Sequence, residues 1–431
     1  MKFFRTAVLG AFASSCATTH GQQLPSAPPE SVSTVASTTP LTLDEAVAIA
    51  RANSPRLREA ASATRQALAG VQTARAYSNP SVEVFEGRQY ARPISTPGIP
   101  GLLQHYAAYQ PIEIPKERNA RKRAATLSGE ASRFAEQSVS LSVVADTKHA
   151  FYDALRRREE IEHAQENLQL VEGLQRRVAV EVNVGEKGRL ELTRATAERA
   201  RAQFAVASAQ LQYAQAIARL RAVIAASADT TLDPQGDMEQ RTDLPPLPEM
   251  RGLVLRTHPA LQQTQKDKEA AQANLERQRA LRIPQPTAFA EFENQPDLRF
   301  WRAGVTIALP IFDRRRGPIA EASASIDRNA AVLAQRTLEL TSALERAYEQ
   351  YQLADQQANS LQSGPLHAAE SAVQGAQAAY RFGERGIVEV LDAQRVLQSV
   401  RGDLLDAQYA RQSARVDLEE LGAVAPIGVT P

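Results

Sequence analysis

The strongest constraint on this chain is that its plan is written twice. Residues 43–84, LDEAVAIARANSPRLREAASATRQALAGVQTARAYSNPSVEV, align by eye with residues 247–290, LPEMRGLVLRTHPALQQTQKDKEAAQANLERQRALRIPQPTAFA. Both carry a helical run with proline inside it (Ser54-Pro55, His258-Pro259), then a polar helical run, then a proline-marked approach to a β-like segment. YQPIEIPKERNARKRAA is answered by IALPIFDRRRGPIAEA, in each case an apolar strand ending at proline and a basic cluster opening a long helix. VNVGEKGRLELTRA, Val182 to Ala195, is answered by YRFGERGIVEVLDA, Tyr380 to Ala393. The order helix, strand, strand, long helix, glycine break, helix therefore occurs twice.

The pattern sets expected boundaries. Residues 1–16 have a positive start (Lys2, Arg5) and a short apolar run, as a secretory signal does. Cys16, the single cysteine, stands where a bacterial lipoprotein signal places its acylated residue; ordinary cleavage nearby, for example after Ala17, is the other reading. Residues 17–40, rich in Pro, Ser and Thr, are expected to be a disordered tether. The first repeat is placed at 41–225, a linker at 226–246, the second repeat at 247–422 and a C-terminal tail at 423–431. Thr42 and Glu45 make a capping box for the first helix.

No stretch approaches the ~18 consecutive apolar residues of a transmembrane helix, so a membrane role would need strands. Strands are expected near 81–91, 102–114, 286–294 and 301–311. The last alternates cleanly: Trp301, Ala303, Val305, Ile307, Leu309 and Ile311 fall on one face. It is as long as the roughly 9–11 residues of a membrane-spanning strand. Tyr106, Ala108, Ile112 and Ile114 share a face less regularly. Periodicity alone leaves a small soluble sheet equally open. If the strands do lie in a membrane, four cannot close a barrel, since an open edge in lipid leaves unpaired backbone groups that cost several kcal/mol each. Several chains must then share one barrel.

The helices carry seven-residue repeats. Leu190, Ala197, Phe204, Leu211 and Ala218 form one row, flanked by Thr193, Ala200, Ala207 and Ala214. Val390, Leu397, Leu404 and Leu418, with Ala393, Val400, Ala407, Ala414 and Leu421, form a second that Arg411 interrupts. Such rows of apolar and small residues are coiled-coil seams. Helices of about 40–60 residues would run about 60–90 Å, longer than a compact domain needs.

With the duplication, LPIFDRRRGPIAEA and AYRFGERGIVEVLDAQR on the page, the chain resembles the outer-membrane factor family, the TolC-like channels of tripartite efflux pumps, and within it the cobalt-zinc-cadmium type. The resemblance spans Leu41 to about Gly422. It implies a mainly α fold with a small β part: a long coiled-coil α-barrel plus a twelve-stranded transmembrane β-barrel shared by a homotrimer, four strands per chain. It also implies an outer-membrane location extending into the periplasm of a Gram-negative bacterium. The expected function is a passive exit duct for heavy-metal cations, with drugs or solvents as alternative cargo. The expected partners are outer-membrane lipid, a periplasmic adaptor and an inner-membrane RND pump. A periplasmic coiled-coil scaffold lipoprotein that transports nothing is the reading from another class.

The resemblance also assigns residues. The glycine breaks become the turns of two helical hairpins, near 183–190 and 381–388, at the periplasmic tip. Glu389 and Asp392, one helical turn apart, would project into the pore as two acidic rings. Tyr380, Arg385 and Glu191 would link neighbouring hairpins when the tip is closed. Gly185, Arg189, Leu190, Gly383 and Ile387 would dock the adaptor. The resemblance implies no cofactor, and the six histidines show no metal-ligand spacing. No catalytic or phosphate-binding motif appears, so an enzyme is not expected. A net charge of +1, from 50 basic and 49 acidic residues, argues against nucleic acid as a partner.

Overall fold

The computed structural model describes residues 39–90 and 101–425. Cys16, the signal segment and the C-terminal tail beyond 425 lie outside the described residues. In chain order the elements are β1 (Thr39–Leu41), α1 (Leu43–Asn53), α2 (Pro55–Arg75), β2 (Ser81–Gln89), β3 (Gly101–Pro111), α3 (Pro115–Asn183), α4 (Arg189–Val223) and β4 (Leu232–Pro234). There follow α5 (Leu247–Thr257), α6 (Pro259–Ala280), β5 (Pro286–Asn294), β6 (Arg299–Ile307), α7 (Arg316–Ser363), α8 (Pro365–Arg381) and α9 (Ile387–Glu420).

Prolines mark the helix starts. Pro55, Pro115, Pro259 and Pro365 each open a helix, where the missing N–H has no intrahelical partner to lose. Thr42 and Glu45 form the expected capping box, with Glu45 N–H donating to Thr42 Oγ1 at 3.3 Å and Thr42 N–H to Glu45 Oε2 at 2.9 Å. The halves differ in one respect. α3 runs unbroken for 69 residues, about 100 Å. Its counterpart is split into α7 and α8 at Gly364-Pro365, where Gly364 leaves helical geometry.

Two strand ends differ from expectation. β6 stops at Ile307, so Leu309 and Ile311 extend the alternation without joining the ladder. β3 stops at Pro111, which leaves Ile112 and Ile114 in the connection to α3. The tether also ends sooner than expected, because the backbone of Thr39 and Pro40 pairs with Leu232 and Asp233 in a two-stranded parallel sheet. The linker is anchored where Met238 enters the main core beside Phe151, Leu220 and Ile224. Arg411 and Gln412 of α9 both donate to the Met238 carbonyl, at 3.2 and 2.9 Å. Arg411, which interrupts the second seam, is buried and ion-paired with Asp355 at 3.1 Å.

The second seam packs inside the chain, where Val390, Leu397, Ala407, Ala414 and Leu418 are all buried. The first does not. α4 buries a parallel row of alanines instead, Ala195, Ala202, Ala209 and Ala216. Leu190, Phe204 and Leu211 are left exposed, Phe204 at 74%. Small residues let α4 approach α3 closely, and the larger apolar row faces away from the chain's own core.

The four-stranded antiparallel sheet has the order β2-β3-β5-β6, so each half contributes one hairpin and β2 and β6 are its edges. Where it meets the helices, the basic cluster of the first half neutralises buried acids. Glu113 pairs with Arg121 at 2.9 Å and with Arg118 at 3.5 Å, and Glu117 pairs with Arg121 at 3.6 Å and, from α6 of the second half, with Arg277 at 3.0 Å.

Candidate functional site

The two glycine turns have the same geometry. Gly185 and Gly383 adopt left-handed backbone, φ +83° and +73°. In the first turn Glu186 N–H donates to Glu181 C=O at 2.9 Å and Gly185 N–H to Val182 C=O at 3.1 Å. In the second, Glu384 N–H donates to Ala379 C=O at 2.9 Å and Gly383 N–H to Tyr380 C=O at 3.1 Å. Each is a Schellman termination, in which glycine satisfies carbonyls the helix end would leave bare. A Cβ at either glycine would meet nothing within 4 Å, so glycine is required there by backbone conformation and not by space.

Beneath the turns lies a small core of Leu174, Val178, Ala195, Tyr380, Ile387, Val390 and Leu391. Tyr380 is 4% exposed and its hydroxyl donates to Glu181 Oε2 at 2.5 Å, joining α8 to α3. Burial, and after it the bond and charge of Glu181, pushes the Tyr380 phenol above its ordinary range. Glu191 is half-buried at the start of α4, and its Oε2 is buried without a hydrogen bond. Arg385 is exposed, and within this chain it makes no ion pair with Glu191.

Glu389 and Asp392 both stand exposed on the first turns of α9. They differ in their company. Asp392 is ion-paired with Arg395 at 2.9 Å, and the same guanidinium reaches Glu198 of α4 at 3.1 Å. Arg395 thus ties the two hairpins together and offsets one of the two acids. The i,i+3 spacing of Asp392 and Arg395 was the signal for it in the sequence; Glu198 was not foreseeable. Glu181, the partner of Tyr380, was also missed, because it lies on the other repeat.

Of the remaining turn residues, Gly185, Arg189, Leu190 and Gly383 are exposed. Ile387 is not. At 1% exposure it belongs to the core beneath the turn.

The sheet has two chemically different faces. The register aligns Val84, Tyr106, Phe292 and Trp301 across all four strands, and Val82, Ala108, Ala290 and Ala303 likewise. Over these two rows the face is apolar and bare, with Trp301 78% exposed, and the next row toward the strand tips, Glu86, Gln104, Asn294 and Arg299, is polar. The opposite face carries the charged residues Glu83, His105, Glu291, Glu293 and Arg302, interleaved with Phe85, Tyr109, Phe289 and Phe300. Among the described residues no helix is long and apolar enough to cross a membrane.

An open sheet with one lipid-compatible face and one polar face, carried on two duplicated helical hairpins, defines a protomer of the outer-membrane channel class. The comparisons agree. The profile of the Outer membrane efflux protein family matches residues 46–226 and 251–423, and the chain belongs to that family. It is 25% identical over 365 residues to the cobalt-zinc-cadmium resistance protein CzcC of Cupriavidus metallidurans, covering 84% of this chain and 85% of that one. It is similar to Protein CyaE of Bordetella pertussis at 27% over 324 residues, 72% of this chain and 68% of that one. It is similar to the nickel-cobalt-cadmium resistance protein NccC of Alcaligenes xylosoxydans xylosoxydans at 26% over 289 residues, 66% and 63% of the two chains. The crystal structure of CusC shares the fold with a TM-score of 0.77 at 20% identity, covering 88% of this chain and 91% of that one.

Proposed function

We propose that this chain is the outer-membrane component of a tripartite RND-type efflux system, a homotrimeric passive duct across periplasm and outer membrane that exports divalent heavy-metal cations. The observation that carries the duct is the open sheet. Its apolar face suits lipid, but β2 and β6 have unpaired edges, and a bilayer does not tolerate those. Closure by copies of the same sheet removes the edges, and three copies supply twelve strands. The exposed row of Leu190, Phe204 and Leu211 supports the same reading, as a helix surface awaiting a neighbouring subunit.

The cargo reading rests on the similarity to CzcC and NccC, whose names specify cobalt, zinc, cadmium and nickel. The paired glycine turns, with exposed Arg189 and Leu190, would receive a periplasmic adaptor, and Glu389 and Asp392 would line the pore. Arg385 and Glu191 would meet across subunits, which gives the bare Glu191 Oε2 a partner. Cys16 would carry a lipid anchor to the inner leaflet, a point that mass spectrometry of the mature N-terminus decides.

The test is a deletion of the gene in its own host, followed by growth on graded Co²⁺, Zn²⁺, Cd²⁺ and Ni²⁺ and on a panel of drugs and solvents. Sensitisation to the metals supports the proposal. Sensitisation to the organic compounds alone replaces the cargo. A monomeric mass for the detergent-solubilised protein would refute the shared barrel.

A further inference from the structure

His105 is remote in sequence from Glu291 and Glu293, and the three meet on the charged face of the sheet. β3 and β5 align His105 with Glu293 and Ala107 with Glu291, so all three side chains leave the same face. One donor atom from each lies within 4.8 Å of the other two. His105 Nδ1 stands 4.0 Å from Glu293 Oε2. The Glu291 side chain is only 5% exposed, and its Oε1 is ion-paired with Arg302. The Arg302 side chain is 61% exposed, so this counter-charge lies on the solvent side of Glu291.

We propose that His105, Glu291 and Glu293 form a binding site for a divalent transition-metal cation on the wall of the channel, toward the end of the sheet remote from the helices. The proposal rests on the reading of this face as the lumen of an export duct. An imidazole with two carboxylates is a donor set for Zn²⁺ or Co²⁺, whereas Mg²⁺ and Ca²⁺ favour all-oxygen sites. Donor atoms on a tetrahedral ion with bonds of about 2.0–2.2 Å lie roughly 3.3 Å apart. The site requires side-chain rotation to bring these three from their present separation, within 4.8 Å, to that one. The charges also balance. Two carboxylates and Arg302 leave one negative charge; a divalent ion that displaces Arg302 brings the cluster to neutrality.

Three protein ligands leave the fourth coordination position to water, so the ion is not fully enclosed by protein. Exchange is what a conducting pathway needs, since an ion held too firmly blocks the next. Arg302 would compete with the ion and so keep the site labile.

The experiment uses the full-length protein in detergent, stripped of metal with a chelator and titrated with Co²⁺, read by d–d absorption and by calorimetry. One Co²⁺ per chain is expected, with affinity at least tenfold weaker in His105→Ala and in Glu293→Gln and unchanged in Glu83→Gln on the neighbouring strand. His105 and Glu293 are partly exposed, so both variants keep the sheet, which retention of the oligomer on a sizing column verifies. Arg302→Gln should tighten binding severalfold by removing the competing cation, a response that loose adsorption to surface acids would not show. Absence of Co²⁺ binding in the wild type, or undiminished binding in both ligand variants, overturns the site. Metal tolerance of the host separates the two claims. Tolerance conferred by a protein that binds no Co²⁺ removes the site and leaves the export reading; binding through these residues without tolerance does the reverse.

Discussion

The Tyr380 hydroxyl donates to Glu181 Oε2 across the two repeats, at 2.5 Å, directly beneath the turns that Gly185 and Gly383 make. Tyr380→Phe would keep the ring in its core and remove only the bond. A hydrogen bond to a charged group is worth about 1.5–3 kcal/mol, and its loss here should loosen the turn region without unfolding the helices. Faster hydrogen exchange confined to residues around 181–191 and 379–389 is the expected result, with higher single-channel conductance in planar bilayers. Arg385→Ala should raise conductance too, but leave that intrachain exchange pattern unaltered, because Arg385 stands exposed outside the core.

Glu389 and Asp392 should not contribute equally to ion selectivity. Arg395 lies 2.9 Å from Asp392 and offsets its charge. Fixed charge in a narrow pore enriches counter-ions. Reversal potentials in a salt gradient should therefore shift more for Glu389→Gln than for Asp392→Asn, and most for the double variant. Arg395→Ala should increase cation preference by releasing Asp392. If the double neutralisation leaves the reversal potential unchanged, these acids do not line the constriction.

Stability should carry a pH signature from Glu159. Burial, then the charges of Glu162, Glu239 and Asp237, push this carboxyl up to about 7 from an ordinary 4.5. A raised carboxyl favours the folded state while protonated: its contribution is fully present below about pH 4.5 and is lost as pH rises through 7. Glu159→Gln, which stays neutral, should thus melt higher than the wild type at pH 8. The two melting curves should converge below about pH 4.5. Parallel curves at all pH values would show that the group titrates normally.

The face of the sheet that carries Trp301 and Ala303 is assigned to lipid, and Ala303 lies midway along β6. Ala303→Arg would place a charge near the bilayer midplane, at a cost of about 2–4 kcal/mol per chain. Loss of the protein from alkali-washed outer membranes is the expected outcome. Gly87→Arg, on the opposite face, should still assemble, since its position has open space around it. Retention of Ala303→Arg with loss of Gly87→Arg would reverse the assignment of the faces, and equal retention of both would remove it.

The sequence by itself determined the duplicated helices and strands and their order, though not the β1–β4 pair or the break between α7 and α8. Proline at helix starts, glycine with left-handed φ at both turns, the Thr42–Glu45 box and the alternation in WRAGVTI are local devices, and each acts within a few residues of where it is written. The duplication multiplied their force, because each half predicts the other. Tertiary structure alone decided which surfaces meet. Two seven-residue rows ran along α4, and only packing against α3 selected the alanine row for burial over Leu190, Phe204 and Leu211. Ile387 looked available in a turn and was taken by a core drawn from both repeats. Glu181 and Tyr380, Arg395 and Glu198, and His105 with Glu291 and Glu293 belong together only after the halves are apposed. Side-chain bonds and donor clusters depend on separations of a few ångströms, and no pattern along a chain encodes the distance between residues brought together from its two halves.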